Sequence, residues 1–69
     1  MPTAVEQLIE HLKLDIAALE QRAQRAEELL PHVAEKYRER LKSSVDSTWQ
    51  QAKELNELLV EIRLDHPGN

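Results

Sequence analysis

The chain has 69 residues and a mass of 8.0 kDa, which limits it to one domain, so 1–69 is treated as a single helical domain. Hydrophobic residues make up 41% of the chain, but they include no Phe, one Trp and one Tyr, which leaves little bulk for an enzyme fold with a large substrate pocket. Cysteine is absent, which excludes disulfides and thiol chemistry, and the net charge of −4 disfavours general binding to nucleic acids or anionic membranes.

The first predicted helix begins at Thr3. The Thr3 hydroxyl can accept a hydrogen bond from the amide of Glu6, while the Glu6 carboxylate reaches back to the Thr3 amide, which is the capping-box pattern. Between Thr3 and His66 there is no Gly and a single Pro, and residues typical of strands never alternate with period two. The sequence therefore predicts an all-α protein.

Pro31 is the residue that decides the fold. A Pro inside a helix costs about 3 kcal/mol, but it fits the first turn of a new helix and drives the preceding residue, Leu30, away from helical dihedral angles. The sequence predicts an antiparallel two-helix hairpin, with helices at about 3–30 and 32–65 and the turn at Pro31.

Two other architectures stay open. The apolar repeat runs through Pro31 without a phase break and no Gly or Asn supplies a C-cap, so one long kinked helix in a coiled coil is the first alternative. The second is a three-helix chain with another break within 43–48, where Ser47 and Gln50 have capping-box spacing.

The second helix is predicted to end near residue 65, because Pro67 and Gly68 follow it closely. Residues 66–69 are expected to form a frayed tail. No apolar run exceeds four residues, so we expect no membrane-spanning segment and a cytoplasmic protein.

Apolar side chains recur at steps of three and four along both predicted helices, which is typical of a helix packed on one side. A hairpin of this size cannot hide so wide a stripe by folding back once. We therefore predict a homodimer or higher oligomer, most simply a four-helix bundle, with a heterologous protein as another possible occupant. In the hairpin, Leu12 is expected near Ala52 and Ile16 near Trp49. The predicted interface consists of Leu8, Ile9, Leu12, Ile16, Leu19, Tyr37, Leu41, Val45, Trp49, Leu55, Leu58, Leu59 and Ile62.

The middle of the chain is locally basic. Residues 22–42 hold six bases against four acids, so an electrostatic patch is possible there. The simpler interpretation is a solvated surface balanced by the neighbouring Glu residues. Tyr37 occupies a position of the apolar stripe and is expected to be buried, which removes the stacking platform that a nucleic-acid partner would need. The patch residues are Arg22, Arg25, Lys36, Arg38, Arg40 and Lys42.

The three His residues raise the question of a metal. His11 and Asp15 are four residues apart, as are Glu28 and His32, and this spacing can place two ligands on one helix face. The chain contains no Glu-x-x-His motif of the kind that builds di-iron bundles, so these groups are interpreted as solvated. We expect no enzyme activity and no cofactor.

The resulting expectation is a small interaction module, acting as a regulator, adaptor or small chaperone through its apolar stripe. A nucleic-acid-associated regulator using the segment 22–42 is the alternative. In size and layout the predicted hairpin is similar to hairpin co-chaperones of bacterial secretion systems and to small RNA-modulating hairpin dimers, a likeness of fold alone.

Overall fold

The computed structural model of the chain describes residues 3–65. Helix α1 spans Ala4–Leu29, a 3₁₀ turn spans Leu30–His32, and helix α2 spans Glu35–Asp65. The two helices pack against each other along their length, so the molecule is an elongated hairpin of 50 × 20 × 12 Å. The prediction of an all-helical hairpin is confirmed, and the single long helix is excluded. The predicted tail, 66–69, lies outside the described residues.

The N-terminus of α1 has the predicted capping box. The amide of Glu6 donates to the Thr3 hydroxyl oxygen at 3.1 Å, and the amide of Thr3 donates to Glu6 Oε2 at 3.3 Å. These two bonds satisfy backbone donors that have no partner within the helix itself.

The reversal of the chain differs in detail from the expectation. Leu30 keeps helical dihedral angles (φ −52°, ψ −44°), and the helical path is left only at Val33 (φ −90°, ψ 143°). Pro31 therefore lies inside the 3₁₀ turn, where its missing N–H costs little, and α2 starts at Glu35 instead of residue 32. Neither a Gly nor a left-handed residue is needed, because Val33 makes the turn in extended conformation.

The Arg38 side chain takes the place of a glycine C-cap. Its Nε donates to the carbonyl oxygen of Val33 at 3.0 Å, and one of its terminal nitrogens donates to the carbonyl oxygen of Pro31 at 3.3 Å. A basic side chain thus satisfies carbonyls that the end of the helical path would otherwise leave unpaired.

Helix α2 is continuous through 43–48, so the three-helix alternative is wrong. The Thr48 hydroxyl donates to the carbonyl oxygen of Ser44 at 2.9 Å. This bond to the preceding turn satisfies the hydroxyl within the continuous helix.

Candidate interaction surface

The buried core of the hairpin is thin. Among residues 3–65, the buried side chains are Leu12, Ala23, Val45, Ala52 and Leu59. Only the two Leu side chains in this set are large, and neither of them is completely buried. Each helix therefore buries a narrow line of contact and leaves both flanks of that line partly open.

One flank forms a polar, shallow recess of about 310 Å³. Its walls combine apolar groups from both helices with the charged side chains of Glu20 and Lys53 and the amide of Asn56. Ile16 and Trp49 both line it, as the predicted pairing requires. We refer to this side of the hairpin, defined by Ile16, Glu20, Trp49, Lys53 and Asn56, as the recess face.

Trp49 is fixed at the recess face by a hydrogen bond between the two helices. Its indole Nε1–H donates to Oε1 of Glu27 at 2.6 Å. Trp49 is half-buried, so its ring rests partly on apolar groups while its one polar atom has a charged acceptor. The indole N–H thus has a partner, and no local sequence pattern indicates Glu27 as that partner.

The opposite flank is rich in leucine. Each helical residue turns by about 100°, so Leu8 and Leu19 lie on one side of buried Leu12, while Ile16 and Glu20 lie on the other. On α2 the same rotation places Leu55, Leu58 and Ile62 on one side of buried Ala52. Trp49, Lys53 and Asn56 of the recess face lie on its other side. Because the helices are antiparallel, these rows share one side of the hairpin. The leucine face consists of Leu8, Leu19, Leu55, Leu58 and Ile62.

The leucine face is accessible. Leu8 is 46% exposed and Leu58 is 44% exposed, whereas the other three members are half-buried. Apolar side chains grouped on one side of both helices are unlike a single exposed leucine, which is ordinary on any protein surface. The hairpin thus presents one charged, recessed side and one leucine-rich side.

The predicted interface residues divide by burial into three sets. Leu12, Val45 and Leu59 are buried within the hairpin, Ile9, Ile16, Leu19, Leu41, Trp49, Leu55 and Ile62 are half-buried, and Leu8, Tyr37 and Leu58 are exposed. The side chains of the buried set are already covered when a single chain folds. The surface available to a partner is therefore narrower than the predicted list.

Tyr37 corrects the sequence interpretation, which expected it to be buried. It is 48% exposed. It lies eight residues before buried Val45, so at about 100° per residue it is turned about 80° away from that residue around α2, onto one flank. By rotation about α2 it falls on the same side as Leu55. The ammonium group of Lys36 lies 5.0 Å from the centre of its ring, a cation–π contact.

The six residues of the predicted electrostatic patch are all exposed, as a solvated surface requires. They are Arg22, Arg25, Lys36, Arg38, Arg40 and Lys42. Arg38 has a structural role, since its guanidinium group holds the carbonyls of the turn. No sequence pattern indicates this role beyond a basic residue close after a helix end.

The candidate metal ligands are brought together only in part. His11 Nε2 lies 3.6 Å from Oδ2 of Asp15, and both side chains are more than half exposed. Within residues 3–65 no group of three or more His, Cys, Asp or Glu side chains could hold a metal ion. In the same range, neither helix is long and apolar enough to cross a membrane.

Comparison with known proteins gives no relative. No protein-family model, no curated protein and no solved structure matches the chain at a significant level.

Proposed function

We propose that this protein is a non-enzymatic interaction module, serving as a regulator, adaptor or small chaperone, and that it works by covering its leucine face with another protein. The observation that carries the proposal is the contrast between a core of five buried side chains and an apolar row left open on the same hairpin. A soluble, cytoplasmic setting fits such a module.

The surface area of the hairpin supports an associated state. Its accessible surface is 5610 Å², whereas a compact monomer of this mass has about 4,450 Å². The excess of about 1,150 Å² is comparable with the roughly 800 Å² that each partner buries in a stable complex. Covering one side would give the chain the surface of an ordinary globular protein.

The first partner we propose is a second copy, giving a homodimer that is a four-helix bundle. Sedimentation equilibrium or light scattering across micromolar concentrations tests this directly. The expected result is a mass twice that of the chain, together with thermal stability that rises with concentration. A chain that stays monomeric, compact and fully helical at every concentration would contradict the proposal.

A second candidate function is nucleic-acid binding through the basic segment. It is favoured by one observation, the exposure of Tyr37 beside Lys36, since an accessible aromatic ring next to a cation can stack on an unpaired base. Salt separates the two functions. Affinity for single-stranded RNA or DNA would fall steeply as salt rises, and replacing Tyr37 by Ala would weaken it further. Dimerisation through leucines would change little as the salt concentration rises.

A further inference from the structure

We infer that two copies of the hairpin pack antiparallel through their leucine faces, with the turn of each copy beside the open end of the other. The inference rests on the proposed self-association and adds to it the surface used and the orientation of the partner. Its basis is the coincidence of an apolar row with a polarised distribution of charge.

The two ends of the hairpin carry opposite net charge. The turn end, residues 22–42, has six bases against four acids and a net charge of +2. The rest of the described chain, residues 3–21 and 43–65, has three bases against nine acids and a net charge of −6. A parallel dimer would set the two acidic ends side by side, whereas an antiparallel dimer sets each acidic end beside a basic one. Electrostatic complementarity of this kind selects orientation more than it adds affinity.

The shape of the leucine face fits the same orientation. Leu8, Leu58 and Ile62 concentrate apolar surface toward the open end, while exposed Tyr37 supplies the apolar surface at the turn end. In an antiparallel dimer the ring of Tyr37 lies against the leucine-rich open end of the partner. Lys36 then lies near the partner's acidic end, where its charge is complemented.

The recess face is the poorer surface for a second copy. Glu20, Lys53 and Asn56 would have to lose their water there, and burying a charge without a partner is costly. On the flank of the leucine face the row from Leu8 to Leu19 includes one acidic residue, Asp15, whose Oδ2 lies 3.6 Å from Nε2 of His11.

Orientation is measured with spin labels on cysteines, since the chain has none of its own. Ala34, at the turn, is exposed, and Leu64, at the open end, is 73% exposed and lies four residues after Val60, on the flank of α2 away from Leu58. Ala34→Cys and Leu64→Cys therefore leave the leucine face intact. In each labelled homodimer the antiparallel arrangement predicts a distance near the 50 Å length of the hairpin. A mixture of the two labelled chains should add a short distance. Short distances within each homodimer would overturn the orientation.

The surface is tested by a matched pair of substitutions on α2. Leu58 is 44% exposed and Val60 is 48% exposed, but they lie on opposite flanks of the helix. Leu58→Glu should abolish the dimer at concentrations where the parent chain is dimeric, and Val60→Glu should leave it intact. The reverse result would overturn the assignment of the face. If Leu58→Glu unfolds the chain by circular dichroism, Leu8→Glu on α1 is used in its place.

These outcomes separate the inference from the function on which it rests. A parent chain that remains monomeric in the light-scattering experiment overturns self-association itself. A dimer with short label distances, or one that tolerates both leucine substitutions, overturns only the antiparallel leucine-face arrangement.

Discussion

Replacing Leu12 by Ala tests whether so thin a core holds the hairpin together. Leu12 is only 7% exposed and is one of the two large side chains in the buried line. Truncating a buried Leu to Ala removes its transfer free energy and leaves a cavity, at a cost of about 2 to 5 kcal/mol. We expect the lower half of this range, about 2 to 3 kcal/mol, because a two-helix layer can collapse partly into the gap.

The hairpin itself supplies the control. Leu14 lies on the same helix, two residues away, but is 69% exposed on the opposite side. Leu14→Ala removes the same atoms from water-accessible surface, and Ala is also a good helix former, so the free energy of unfolding should change by less than about 0.5 kcal/mol. The difference between the two variants isolates the contribution of burial.

Thermal unfolding followed by circular dichroism measures both variants. A loss of 2 to 3 kcal/mol corresponds to a fall in Tm of about 10 to 20 °C for a domain of this size. Protein concentration must be held constant, because association is coupled to unfolding. Equal losses for Leu12→Ala and Leu14→Ala would refute the packing described here.

Three further predictions concern side chains that make hydrogen bonds. Thr3→Ala should destabilise α1 by about 1 kcal/mol in urea unfolding, and Thr3→Ser should restore most of the loss because it keeps the hydroxyl. Arg38→Ala should lower Tm through the unpaired carbonyls of the turn, whereas Arg40→Ala, which removes the same charge nearby, should not; equal effects would mean that charge alone matters. Glu27→Ala should shift the fluorescence of Trp49, the only tryptophan, and Glu28→Ala should leave it unchanged, while an unaltered spectrum in both would argue against the interhelical bond in solution.

The helical hairpin was predictable because its signals are local. The capping box at Thr3 needs only residues three apart, and Pro31 is the single helix breaker between Thr3 and His66. Buried Leu12 and Ala52, and the shared recess of Ile16 and Trp49, agree with the predicted pairing.

The features that could not be predicted from the sequence depend on contacts between residues far apart in the chain. The bond from Trp49 to Glu27 joins residues 22 apart, and nothing in either local pattern indicates it. The start of α2 at Glu35 follows from how Val33 and Arg38 complete the turn. Tyr37 has the spacing of a buried residue, but periodicity identifies the side of a helix and not what lies opposite it. The identity of the surface that meets a partner stays a prediction for the same reason.

The short connection between the helices also determines the order in which the hairpin can assemble. Closing a loop costs more chain entropy as the loop lengthens. The entropic cost of pairing the two helices is therefore lowest next to the Leu30–Ala34 reversal and highest at the two free ends. Zippering should therefore start beside Arg38 and finish where Leu8 and Ile62 lie. The segment that pairs last is also the first to separate, and a second molecule bound across it would hold the two helices together there.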